Sequence, residues 1–416
     1  MRMLLLELTG CWALPFLSLL LHVDGAVLLR GGGLQPLHVT CKQPTIGGQN
    51  LSFWTGAAFA APGNGPQVLL SMASVGPLHV PPVLGLSVIR GGNSCRWFVG
   101  VGSLSEPRTS GCATAYGQRI AFAGGHNNSA AYVGTVDVYE RTHAGAVSRV
   151  RTLQLPVGRE LLGCATASNI SVFAGGKPPH CSSSPCPPGI SRIGETKEID
   201  VWNHAHDSWL PRMNLSVERK KVEALAVGDY ILMAGGEIGH HPPADEFDAR
   251  AASYSSTVDI LDVRTMKLSV SALSWPRQYF AVAAAGGKAF FAGGFGPTGG
   301  PASRFSLVDI WDSKTQRWST AHLSTNRSNL MGVSVADRWV LFGGGTRIPA
   351  PEPDVCNTTE RSAVVDIHDT LHGTWTTECL AVGHTSTAIA TGISTGRTAI
   401  FFGGGTVDLF TFEHSH

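Results

Sequence analysis

Phe122-Ala123-Gly124-Gly125, with Val136-Asp137-Val138 close behind it, is the first complete copy of a motif that returns to the end of the chain. The glycine element recurs at Phe173-Ala174-Gly175-Gly176, Met233-Ala234-Gly235-Gly236, Phe291-Ala292-Gly293-Gly294, Phe342-Gly343-Gly344 and Phe402-Gly403-Gly404. The apolar-Asp-apolar element follows each time, around Asp200, Asp259, Asp309, Asp366 and Asp408. Nine residues beyond the Asp stand Trp209, Trp318 and Trp375, with Ala146 and Leu268 at the same offset. A small-apolar alternating stretch precedes every Gly-Gly and is introduced by Arg108, Arg159, Arg219, Arg277, Arg327 or His384. Gly-Gly alone means little in a chain with 50 glycines; the phase of the whole unit carries the reading.

Each unit reads as four short strands: a, then b ending in Gly-Gly, then c with the Asp, then d with the Trp. Four strands in about 50–60 residues form a propeller blade. The glycines let backbone pass where a side chain would collide, and the Trp supplies area buried between blades. These features resemble the kelch repeat over about residues 100–412, although the family's usual Tyr near strand c is often Trp, Leu or His here. Residues 55–99 read as a degenerate further unit. The expected fold is therefore all-β, a seven-bladed kelch-type β-propeller over residues 26–416, with six blades as the alternative. The last unit stops before its strand d. The resemblance implies that an N-terminal strand completes it, from Ala26-Val27-Leu28-Leu29 or Leu37-His38-Val39-Thr40.

Composition narrows the function. Thirty-one basic and 30 acidic residues leave a net charge of +1, which disfavours a nucleic-acid binder with a broad basic field. Residues 1–25 read as a signal peptide, an apolar run from Leu8 to Leu21 too short to span a membrane, followed by small residues near Gly25. No stable membrane insertion is expected after its cleavage. Removing Cys11 leaves eight of the nine cysteines, an even number suited to an oxidising compartment. Asn-X-Ser/Thr occurs at Asn50, Asn127, Asn169, Asn214, Asn326 and Asn357, more often than about two chance matches. The expected location is secreted or within the secretory-pathway lumen, with glycans on those asparagines.

The candidate site is a collar. Arg108, Arg159, Arg219, Arg277, Arg327 and His384 open the innermost strands, so they recur around one mouth of the central channel. One reading has the guanidiniums stitching blades together through backbone or carboxylates. The other has them converge on an anionic glycan, sugar acid or acidic peptide through forked, charge-assisted hydrogen bonds. Some kelch propellers grip acidic peptides with arginines at this position, so the resemblance implies the second. The alternative function is a carbohydrate-active enzyme with its site in the channel, for which Glu160 and Glu223 are nearby carboxylates. The Tyr–Cys–His constellation of kelch-type copper oxidases is not recognisable, and no cofactor or metal is expected. Among the cysteines, Cys181 with Cys186 and Cys356 with Cys379 are expected bridges. Cys112 and Cys164 read as equivalent strand-a residues, bridged or free.

Overall fold

The computed structural model describes residues 95–412 apart from 128–130, 142–146, 180–194, 239–253, 299, 348–352, 359, 384–391, 396 and 404–405. Before residue 95 it describes the short strands between Ser18 and Val88. The described residues hold strands and turns and no helix. The strands assort into small antiparallel sheets of four or five, a propeller-like arrangement.

The unit at residues 219–272 is representative. Strand a, Glu223–Val227, pairs with strand b, Tyr230–Ala234. Strand b pairs with strand c, Thr257–Asp262, which pairs with strand d, Lys267–Ala272. Two-residue turns suffice between a and b, as at Gly228, so the sheet is a meander in sequence order. Sheets at Cys112–Gln154, Gly163–Asn214, Ala281–Arg327 and Met331–Cys379 repeat this order, and the degenerate unit forms one over Ser52–Ser103. Its outer strand also pairs with Ser18–Leu20, inside the expected leader; the rest of residues 1–25 lies outside the described residues. In the last unit Thr406–Thr411 pairs with Leu37–Lys42, so of the two candidate N-terminal segments the second lies beside the final strand. Ala26–Leu29 lies outside the described residues.

The core lies between sheets rather than within one. Strands b are buried along their length, as in Ile170–Ala174, because sheets cover both of their faces. Strands d are mostly exposed, as in Lys267–Ala272. Phe173, Trp202 and half-buried Trp209 pack with Val136 and Val138 of the preceding sheet and with Leu162, and Trp375 joins Phe342 against Phe290 in the same way. Strands a of successive sheets lie side by side, Cys112–Tyr116 next to Gly163–Ala167 and Glu223–Val227 next to Ala281–Ala285.

The glycine pairs tie one sheet to the next. The Gly236 amide donates to the Arg277 carbonyl of the following unit at 3.0 Å, and Gly125, Gly176 and Gly294 repeat this bond to Arg159, Arg219 and Arg327. Gly235 has φ +58°, and a methyl there would meet the Arg277 carbonyl oxygen at 2.7 Å. A left-handed backbone and a close interchain-like approach coincide at this residue, so only hydrogen fits.

Candidate functional site

The guanidiniums expected at an open collar are buried. Arg159, Arg219, Arg277 and Arg327 are 0% exposed and Arg108 is 2% exposed. Each pairs with the strand-c Asp of its own unit. Arg108 reaches Asp137 at 2.9 Å, Arg159 reaches Asp200 at 2.7 Å and Arg277 reaches Asp309 at 2.7 Å. Arg219 pairs with Asp259 and Arg327 with Asp366. Each also donates to strand-b carbonyls, for example Phe291 O at 3.0 Å from Arg277 and Phe342 O at 3.2 Å from Arg327. In Asp259, Asp309 and Asp366 the other carboxylate oxygen accepts a backbone amide from the chain entering the unit, such as Ser274 onto Asp309 at 3.2 Å. Every guanidinium thus meets a carboxylate and a strand-b carbonyl, while Nε of Arg108, Arg219, Arg277 and Arg327 and one terminal nitrogen of Arg277 are buried without a partner. The expectation that these five arginines grip a ligand is corrected: burial on this scale requires an internal counter-charge, and Asp supplies it. Burial pulls Arg219, Arg277 and Arg327 below the ordinary guanidinium pKa, against the opposing pull of their Asp partners. His384 lies outside the described residues. Its unit's Asp408 is held by His38 at 2.8 Å and Thr40 at 2.7 Å.

The side chains that do reach this end of the sheets follow the arginines. Ser110, Leu161, Lys221, Tyr279 and Asn329, each two residues on, all have φ between 54° and 58°. The left-handed turn carries the Leu161 amide to Ser110 O at 2.9 Å, Lys221 to Leu161 O at 2.8 Å and Asn329 to Tyr279 O at 2.8 Å. These hydrogen bonds link the first three of these five units and the last two, with five partly exposed side chains along the row. The intervening residues Thr109, Glu160, Lys220, Gln278 and Ser328 each form a bridge with the residue after the glycine pair.

These positions carry the polar chemistry. Lys220 Nζ lies 2.7 Å from Glu195 and 3.0 Å from Glu237; Lys221 Nζ lies 2.8 Å from Glu237 and 4.6 Å from the Tyr279 ring centroid. Burial works against the charge on Lys221, yet its hydrogen bonds to Glu237 and Tyr279 outweigh that and hold its pKa above the ordinary value. Glu160, in the enzyme alternative, is engaged by His126 at 2.6 Å and Lys177 at 3.5 Å. Glu223 differs. It starts an inner strand, has no hydrogen-bonding or charged partner among the described residues, and burial pushes its carboxyl up to about 7.

Among the described residues two disulfides are formed, Cys356–Cys379 as expected and Cys112–Cys164. The second corrects the register assigned to those cysteines. Cys112 pairs with Ala123, whereas in the next unit it is Gly163, not Cys164, that pairs with the matching Ala174. Equivalent residues point the same way around the repeat; a shift of one turns Cys164 back towards Cys112. Thr114 and Thr166, one rung further, join at 2.7 Å, and Thr166 leads through Ser171 to His204, which burial lowers to about 4. Cys181 and Cys186 lie outside the described residues. Asn214, Asn326 and Asn357 are exposed, Asn127 and Asn169 are half-buried, and Asn50 is in a short strand. The two disulfides are compatible with an extracellular location. No helix among the described residues is long and apolar enough to cross a membrane. Compared with known proteins, the chain matches no family model and no curated sequence.

Proposed function

We propose that the protein is a secreted, glycosylated kelch-type propeller that acts as a recognition module for an anionic glycan, sugar acid or acidic peptide. Binding would occur at one mouth of the channel, through the residues that follow the buried arginines rather than through the arginines themselves. Seven blades are the count we favour. In support, strand Ser52–Ala58 lies beside both Cys112–Tyr116 and Gly392–Thr395, which would close a ring of seven inner strands. Pairing of Leu37–Lys42 with Thr406–Thr411 would then complete the last blade and cover its edge.

The observation that carries the binding reading is the contrast within each three-residue segment. Arg recurs unchanged in five units, while the next two positions run Thr-Ser, Glu-Leu, Lys-Lys, Gln-Tyr and Ser-Asn. A repeat that fixes its frame and varies the adjoining side chains on one face displays a surface. Lys221 and Tyr279 offer a cation beside an aromatic face, suited to a ligand with both charge and a flat apolar side. The test is a binding screen of sugar acids and acidic peptides with the full chain and with Lys221→Ala/Tyr279→Ala. Loss of binding at unchanged thermal stability is expected; unchanged binding would remove the mouth from consideration.

Glu223 favours a second reading, an enzyme with its site in the channel. A carboxyl that is half protonated near neutral pH has the poise of a general acid or base. Turnover of a sugar substrate that disappears in Glu223→Gln would decide for it.

A further inference from the structure

Above the sheet that begins at Ala281, a small antiparallel extension sets Gln278 opposite Phe295 and Phe295 opposite Arg304. Residues directly opposite in antiparallel strands send their side chains to the same side, so these three form one strip. Tyr254 of the preceding unit closes edge-on against Phe295, ring centroids 5.9 Å apart, and is hydrogen-bonded by Gln278. Two polar atoms on the strip remain unsatisfied. Gln278 is 5% exposed and its Oε1 has no partner; the Nε of partly buried Arg304 has none either.

Arg304 departs from the five frame arginines. Each of those meets an Asp, whereas no carboxylate among the described residues pairs with Arg304, and burial alone lowers its pKa. A desolvated guanidinium calls for an anion, and a buried amide oxygen calls for a donor. The two flank Phe295 on alternate strands, about 10 Å apart at Cα.

We infer that Gln278, Arg304 and Tyr254 form a subsite for a sugar acid, with the carboxylate on the Arg304 guanidinium and a ring hydroxyl donating to Gln278 Oε1. This rests on the recognition reading above and names the ligand within it. A sugar acid carries an anion and hydrogen-bond donors on one rigid ring, and its apolar CH face suits the wall made by Tyr254 and Phe295. An acidic peptide satisfies the guanidinium but must order a flexible backbone to present a donor at the same time.

The experiment is calorimetric titration of the full chain with methyl β-glucuronide and with methyl β-glucoside, which differ in the carboxylate, beside a Glu-rich peptide. The wild type is expected to favour the glucuronide at least tenfold. Arg304→Gln should erase that preference, Arg304→Lys should retain part of it, and Gln278→Ala should weaken the glucuronide and the glucoside alike. Melting temperatures measured on the same samples would identify any variant that fails to fold, and Arg304→Lys then carries the comparison. Full preference kept by Arg304→Gln, with glucuronide binding lost in Lys221→Ala, would overturn the subsite and leave the mouth as the binding surface. Binding of the peptide but not the glucuronide would overturn the sugar-acid assignment. No binding of any probe by the wild type would overturn the subsite and the anionic-ligand reading together.

Discussion

Arg277 and Tyr279 are two residues apart and have opposite surroundings. Arg277 is 0% exposed, with Asp309 and the Phe291 carbonyl around its guanidinium, while Tyr279 is partly exposed on the belt of left-handed residues. The same contrast separates Arg219 from Lys221 and Arg327 from Asn329. A cation's position in a repeat therefore says less about its work than whether the repeat supplies it with an anion. The arginines are matched one for one by strand-c aspartates and belong to the frame; the residues two places on are partly exposed, and the anion Lys221 meets, Glu237, is peculiar to its unit.

The sharpest way to break this division is to remove a frame arginine. Arg277→Ala leaves Asp309 buried without its counter-charge, so it should lower unfolding free energy by about 3–5 kcal/mol in urea titration. A loss below 1 kcal/mol would return the guanidinium to the candidate ligand contacts. Next in size is the bridge between neighbouring inner strands. Cys112→Ala/Cys164→Ala should cost about 2–4 kcal/mol, because the closed segment spans a sequence separation of 52. An unchanged melting temperature would show that the inter-sheet glycine bonds alone hold those strands.

Glu223 sharpens the comparison from the other side, as an inner-strand acid with no matched cation. Its folded pKa of about 7 lies above the ordinary 4.5, so between those values the folded chain keeps a proton that the unfolded chain releases. Stability should therefore fall as pH rises from about 4.5 to 7, by about 1–3 kcal/mol, and Glu223→Gln should flatten that fall. His204, lowered to about 4 from 6.5, gives the opposite slope as pH drops through that window, and the substitution leaves it in place. The smallest stability effect belongs to Lys221→Ala/Tyr279→Ala, within about 1 kcal/mol of wild type. A larger loss would make the belt part of the frame.

The sheet order and the Cys356–Cys379 bridge were legible because the Gly-Gly and Asp phase recurs over so many units. The place of Leu37–Lys42 was legible as one of two options, since an unfinished last unit requires a partner strand. The arginines were legible only as one of two readings, architectural pairing with backbone or carboxylates against ligand contact, and which carboxylate each meets was not. One Asp per Arg was visible, but the spacing from Arg to Asp runs from 29 residues at Arg108–Asp137 to 41 at Arg159–Asp200, and loops of differing length hid the pairing. The Cys112–Cys164 register was missed by one residue, which in a strand reverses the side chain. Arg304 and Gln278 gave no signal at all, because their juxtaposition depends on an extension that begins only after the glycine pair.

The hydrogen bond between His38 and Asp408 joins residues 370 positions apart. At synthesis rates of about 5–20 residues per second, that contact has to wait roughly 20–75 seconds after His38 emerges. Throughout that interval Leu37–Lys42 is an unpaired strand with no partner yet in existence, and non-local pairings of this kind form late and slowly. The native pairing of that strand thus cannot begin until the intervening residues have been made. Whatever keeps the early strand from pairing elsewhere during those seconds has as much say in the yield of folded protein as any contact in the finished structure.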